Sequence, residues 1–403
     1  TFSSCRGEAR AASGGCPQAG NTGAAGRGNY FSLLCALRPT TAAALFVERF
    51  GISESDAALL ITATMLPLAI APLSYGYLLE AVPAMRVLRW SLVGLAISEL
   101  AFVLVDSFIV LLGIRFVQGL LLPAAFTSVM TFISGTAHST RLRRSMSIYV
   151  AATIVGGYLG RLLAGLGASL FDWRLFFVVL AAALLVCLAL LGRLYVPTRL
   201  ETPRPRPGDA VAILRDPTYL STYVSIFCLF LVFAGLLNFL PFRLHVLMPG
   251  LSSSITGLIY TGYLLGVATS LGSGRIAAMV GNEQRTMIIG FGGYMLALLS
   301  TLVPNVGVLF GGLFLFCGSM FLVHSLATGS VNQRAAQHRG IVNGLYVTFY
   351  YSGGVTGSYL PGFVYEHVGW PAFVLLLLGV AGLGIGALLI GQKYTNLLLT
   401  TPR

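Results

Sequence analysis

The chain has 403 residues, of which 56% are hydrophobic and 9% charged, with a net charge of +12 and a mean hydropathy of +0.84. Soluble domains run near ~45–50% apolar and ~25% charged, so the composition excludes a soluble domain and marks an integral membrane protein. The positive charge is spread over short connecting segments and forms no basic groove, which argues against nucleic acid as a partner.

Residues 1–42 contain no apolar run of the ~20 residues that a spanning helix requires, because Arg27, Arg38 and Pro39 interrupt the stretch. Eleven apolar spans follow, near 57–79, 87–105, 108–134, 146–170, 174–192, 219–241, 254–279, 286–303, 305–328, 341–364 and 371–391. They are continuous and rich in Gly and Ala, not ~10-residue segments of alternating polarity, so packed helices and not a barrel are expected. The widest gap, 193–218, mixes Pro203, Pro205 and Pro207 with Arg, Glu and Asp and reads as a linker. The expected organisation is an aberrant leader (1–42), a first helix bundle (43–192), the linker (193–218), a second bundle (219–395) and a tail (396–403).

An internal repeat supports this division. Ile148-Tyr149-Val150 precedes Gly156, Gly157, Gly160, Gly165, Trp173 and Phe176, and Leu345-Tyr346-Val347 precedes Gly353, Gly354, Gly357, Gly362, Trp370 and Phe373, each 197 positions on. The chain is therefore expected to be all-α, with two six-helix bundles related by duplication. The repeat also demands a helix near 22–44 to match 219–241, and none is present; correspondence resumes where Gly51-Ile52-Ser53 answers Gly250-Leu251-Ser252. Residues 1–42 are thus expected to be a mis-called start or a shifted reading frame and not the native first helix. A divergent, half-inserted helix built on Phe31 to Leu37 is the alternative.

Arginines give the orientation. With the segment before 57 as the first span, one set of loops holds Arg86, Arg89, Arg141, Arg143, Arg144, Arg193, Arg199, Arg204, Arg206, Arg215, Arg275, Arg285, Arg334 and Arg339; the opposite set holds Arg49, Arg174 and Arg243. The first set and the C-terminus are expected in the cytoplasm. Cys187, Cys228 and Cys317 lie singly in separate spans without metal-ligand spacing. No His/Asp/Glu cluster, phosphate-binding loop or zinc pattern suggests an enzyme, a metal or a cofactor.

Three ionisable residues lie within spans. At 1.5 Å per residue, Glu99 is ~10 Å and Arg115 ~13 Å from the end near Asp106, and Arg161 is ~16 Å from Asp172. Charges at such depth need partners or water, so Glu99 is expected to pair with Arg115 or Arg161, or to face a central cavity with them. Glu99 would take and release a proton, or the cluster would be a static pair fixing its helices. His324 reads as a hydrogen-bonded core residue in preference to a proton relay. Asn238, Asn343 and Tyr346, with Tyr260, Tyr263, Phe349, Tyr350 and Tyr351, are candidate cavity contacts.

At the end of the 57–79 span lie Gly76, Glu80, Pro83, Arg86 and Arg89; the second half carries Gly274, Arg275, Gly281, Asn282, Glu283 and Arg285 at the matching place. Together with Arg115-x-x-Gln118-Gly119 and the 156–165 glycine ladder, these resemble the major facilitator superfamily over about residues 43–395. Tyr149 to Gly165 with Arg161, ending at Asp172-Trp173-Arg174, resembles the twelve-span bacterial drug/proton antiporters. The chain departs from that pattern at Arg161 after Gly160, at Glu80, Ala81 and Pro83, and at Ala278. The resemblance implies a monomeric secondary transporter of the bacterial inner membrane, exporting small organic or amphipathic molecules against protons by rocking its halves. A solute importer of the same fold, or an inactive remnant, is the alternative reading. The glycines would let helices approach and slide, or would serve packing alone.

Overall fold

The computed structural model describes residues 54–170, 173–193, 206–247 and 261–400; the expectation for residues 1–42 lies outside them. Their regular elements are α1 (Glu54–Ala81), α2 (Ala84–Leu104), α3 (Phe108–Thr136), α4 (Ser139–Leu170), α5 (Trp173–Gly192), α6 (Asp209–Arg215), α7 (Pro217–Leu247), α8 (Gly262–Val280), α9 (Glu283–Ser300), α10 (Val306–Arg334), α11 (Arg339–Val368) and α12 (Trp370–Thr400). Seven of them are long and apolar enough to cross a membrane by composition alone. The stretch read as a linker contains the short helix α6.

Local chemistry explains where the helices stop. Gly281, in the left-handed region at φ 84°, ends α8, and the Asn282 side chain then caps α9 by accepting the Gln284 and Arg285 N–H groups. Asn305 caps α10 through the Val308 N–H. Gly369, at φ 96°, ends α11, and Trp370 opens α12 with its indole N–H on the Thr301 carbonyl at 3.1 Å. Pro67 and Pro72 in α1, Pro123 in α3 and Pro361 in α11 lie inside helices, as packed membrane helices tolerate.

The packing repeats between halves. α1 packs on α3 as α8 packs on α10; α2 packs on α3 as α9 packs on α10; α2 packs on α5 as α9 packs on α12. The second half is centred on stacked rings, with Phe316 4.2 Å from Tyr294 and 5.6 Å from Phe233. The Tyr294 hydroxyl donates to the Leu229 carbonyl at 3.0 Å.

The second-half glycine ladder is a contact with α7. A Cβ on Gly353 or Gly357 would strike the carbonyls of Phe227 and Leu231, and one on Gly354 or Gly362 the rings of Phe230 and Phe239. Backbone approaches backbone because nothing projects from α11 there. On α4 the matching Gly156 and Gly160 meet no atom within 4 Å of such a Cβ, so the ladder is not a tight contact there. Gly157 is partly exposed; the side chain of Arg161 and the surroundings of Gly165 lie outside the described residues.

Candidate translocation pathway

The two halves meet along two seams, both at the end that carries the arginine-rich loops. In the first seam α1 lies against α11. A Cβ on Gly76 would sit 2.8 Å from the Gly340 carbonyl oxygen, and one on Gly344 would sit 2.6 Å from that of Pro72. The last turn of α1 adds Glu80, which is buried and whose Oε1 accepts the Gly340 N–H at 2.6 Å. Gly340 lies in the first turn of α11, and the residue before that helix, His338, offers it no side-chain cap. A carboxylate from the first half therefore caps a helix of the second, where free N–H groups and the helix dipole favour negative charge. The Arg339 guanidinium donates to the Ser134 carbonyl of α3, again between halves.

In the second seam α4 lies against α8 and α10. The hydroxyls of Ser147 and Ser273 are 2.9 Å apart; Ser270 donates to the Ser147 carbonyl at 3.0 Å, and Ser325 lies 2.6 Å from Ser270. Arg143 forms an ion pair with Glu283, and its side chain covers Gly329. The seams are related by the repeat yet differ in chemistry. Ser147 stands where the first seam has Gly344, and Arg143 where it has Gly340. One seam is glycine on backbone with a carboxylate cap; the other is hydroxyl on hydroxyl with an ion pair.

The linker bridges the first seam. The Tyr77 hydroxyl of α1 donates to the Pro207 carbonyl at 2.9 Å and accepts the Ala210 N–H at 3.2 Å. Asp209 of α6 lies 3.7 Å from the His338 imidazole, beside the start of α11.

Deeper in the protein, Phe126 of α3 and Tyr351 of α11 stack across the halves at 6.2 Å. His324 Nδ1 is 2.8 Å from the Tyr346 hydroxyl, which Thr328 approaches at 2.9 Å. Tyr350 lies 4.6 Å from His324 and 3.9 Å from Phe230, nearly parallel to the latter.

The charged cluster sits elsewhere. Glu99 of α2 is 7% exposed and feels the Arg115 charge. The Arg115 guanidinium lies over the rings of Phe102 and Phe177, 4.4 and 5.3 Å from their centres, and donates to Gln118 Oε1 at 3.0 Å. Cation–π contact and one amide thus hold the arginine among α2, α3 and α5, the helices that pack on one another within the first half. Arg115 is close enough for its charge to act on Glu99, but the expected ion pair does not form: the guanidinium bonds Gln118 instead, among these helices and away from the two seams.

The other expected residues scatter. Gly119 lets α3 approach the Thr64 carbonyl of α1. Asn343 is buried, with its amide 3.4 Å from the Thr131 hydroxyl. Asn238 is exposed and donates to Ser358 at 2.9 Å, near the end of α7 opposite the seams. Arg86 is exposed, and its guanidinium, unlike that of Arg89, takes no part in a hydrogen bond or ion pair among the described residues; Arg89 holds the Leu191 carbonyl of α5 at 2.9 Å. A Cβ on Gly274 would meet nothing within 4 Å, so this glycine is not the counterpart of Gly76 in function. Gly340, Gly344, Ser147, Ser270 and Ser273 were not singled out from sequence. The available signal was the four-residue spacing of Gly340 and Gly344, which gives α11 one smooth face at the end where Gly76 lies.

Comparison with known proteins agrees with this architecture. The sequence matches the Major Facilitator Superfamily over residues 30–358 and 249–403. The inner membrane transport protein YnfM of Escherichia coli (strain K12) is 26% identical, the match covering 90% of this chain and 87% of that one. An uncharacterized transporter of Buchnera aphidicola subsp. Schizaphis graminum is 24% identical over 83% of each chain. Among solved structures, FucP in the outward conformation has a TM-score of 0.72 at 13% identity, covering 90% of this chain and 98% of that one. The human organic anion transporter MFSD10 has a TM-score of 0.70 at 16% identity, covering 91% of each. With two helical halves meeting at one end and a family match that spans most of its length, the chain belongs to the major facilitator superfamily of membrane transporters.

Proposed function

We propose that the chain exports small organic or amphipathic molecules across the bacterial inner membrane by proton-coupled alternating access. The observation that carries this reading is the closure of the arginine-rich end by both seams, while residues at mid-depth between the halves, among them Phe126, Tyr149 and Tyr351, stay partly exposed. With that end in the cytoplasm, as the arginine distribution favours, the conformation is closed inward and open outward. The YnfM name supports the inner membrane as location.

Rocking would separate α1 from α11 and α4 from α8, uncap α11 from Glu80 and break the Arg143–Glu283 pair. The interactions lost are single hydrogen bonds, glycine contacts and one ion pair, which is partly exposed and so worth ~0–1 kcal/mol. The barrier to opening then stays within reach of a substrate's binding energy. For coupling, Glu99 is the buried carboxyl that caps no helix, and its Oε2 has no hydrogen-bond partner among the described residues.

The test is transport into everted vesicles of a panel of neutral, cationic and anionic organic compounds, with and without a proton gradient. Accumulation that collapses with the gradient is expected, as is its loss in Glu99→Gln. Uptake that persists after the gradient is removed refutes proton antiport; unchanged pH dependence in Glu99→Gln removes Glu99 from the coupling path.

A further inference from the structure

Six ring-bearing side chains from five helices lie at one depth between the halves. Counting 1.5 Å per residue from the arginine-rich helix ends, Phe126 and Tyr149, His324, Tyr350 and Tyr351, and Phe230 are ~15–20 Å in, about the middle of a ~30 Å bilayer core. Phe126 belongs to α3, Tyr149 to α4, Phe230 to α7, His324 to α10, and the tyrosine pair to α11. They form the floor above the two closed seams. Phe126 and Tyr351 face each other across the halves, yet they, Tyr149, Phe230 and Tyr350 are all partly exposed. Side chains turned toward the opposite half can stay accessible only if open space separates the halves above them.

The chemistry of the floor is narrow. Tyr350 is clasped between Phe230 at 3.9 Å and His324 at 4.6 Å, and Tyr351 stands edge-on to both Tyr350 and Phe230, at 5.1 and 5.9 Å. Its faces are aromatic, and none of the six side chains is Asp, Glu, Lys or Arg. Glu99 and Arg115 are bound among α2, α3 and α5. One polar atom stands out. His324 Nδ1 is engaged by Tyr346, while Nε2 makes no hydrogen bond among the described residues. When Tyr346 donates to Nδ1, Nε2 carries the ring proton and can donate to an oxygen above it.

Resting on the transporter reading above, we infer that this floor binds flat, uncharged aromatic molecules bearing one hydroxyl or carbonyl oxygen. The ligand stacks on the partly exposed ring of Phe126, meets the open rim of Tyr350 and takes its single hydrogen bond from His324. A sugar would leave most of its hydroxyls unpaired here, at a cost for each. A cation would gain the ring faces but would enter the mid-bilayer with no carboxylate among the described residues of the floor to meet it.

The experiment uses the full chain in lipid nanodiscs, with binding read by calorimetry against empty nanodiscs. The probes are 2-naphthol, its saturated counterpart decahydro-2-naphthol, naphthalene and 1-methylquinolinium. 2-Naphthol is expected to bind at least tenfold tighter than decahydro-2-naphthol. Phe126→Leu and Tyr350→Leu should each weaken it about two- to twelvefold, the value of one aromatic pair, and His324→Phe should reduce it to the affinity of naphthalene. Equal affinity for the saturated compound, tighter binding of 1-methylquinolinium, or no response to any of the three variants overturns the inference. The probe comparison needs no variant, so a variant that fails to fold does not remove the test. Gradient-driven transport of other compounds with no 2-naphthol binding would sink the inference and leave the transport reading standing; binding of 2-naphthol with no gradient-driven transport of anything would do the reverse.

Discussion

Gly344→Ala is the substitution whose effect the first seam predicts most sharply. The added methyl would lie 2.6 Å from the Pro72 carbonyl oxygen and 3.0 Å from the Gly76 Cα, where ordinary contact begins near 3.4 Å. Both obstacles are backbone, so no side chain can turn away, and α1 and α11 must part. Overpacking of this kind costs ~1–3 kcal/mol, and it falls on the closed seam alone. The helix-propensity gain of alanine over glycine, ~1 kcal/mol, applies to both conformations and cancels. Closure at the arginine-rich end should therefore weaken about five- to 150-fold. Spin labels at the exposed positions Arg86 and Gln337, read by pulsed electron resonance, should show a longer distance population in Gly344→Ala than in the parent. Gly274→Ala, at the repeat-related place in the second half, meets open space and should leave the distribution unchanged. A folded Gly344→Ala protein with the parent's distances refutes the seam as described.

Further outcomes follow from the same contacts. Glu80→Gln keeps an oxygen for the Gly340 N–H and should hold the seam closed, whereas Glu80→Ala loses the cap and should favour the open form by ~0.5–2 kcal/mol, read with the same labels. Arg143→Ala should shift the equilibrium by no more than about fivefold at low salt, and by less at high salt, because the pair is half exposed. Gly357→Ala lies against α7 within one half, so it should lower the thermal melting point without changing the open-to-closed ratio. Arg115→Lys keeps the charge but loses the planar stacking over Phe102 and Phe177 and should also lower the melting point.

The all-α membrane fold was legible because its signals are local. Apolar runs of span length, arginines between them and a 197-residue repeat each read off neighbouring residues. The glycines at 353, 354, 357 and 362 announced a close approach, but not that the approach is to α7, since spacing along one helix does not name its neighbour. The same blindness applies to Glu99 and Arg115: their depth was computable, whereas the direction in which they point depends on how α2, α3 and α5 pack. The second seam was missed for a different reason. Ser147, Ser270 and Ser273 are short and nearly neutral in hydropathy, so nothing in an apolar span sets them apart until Ser147 is seen 2.9 Å from Ser273. Arg86 and Gly274 misled because the matching motif has both in mind, while Pro83 at the α1–α2 turn and Ala278 in α8 show that this chain has altered it.

Alternating access requires that the seams part in every cycle. Ser147→Cys paired with Ser273→Cys, in a background without the native cysteines, places two thiols where hydroxyls now lie 2.9 Å apart, close enough for a disulfide after small adjustment. Substrate flux through the reconstituted protein should stop on oxidation and return on reduction. Undiminished flux through the fully cross-linked protein would contradict the account.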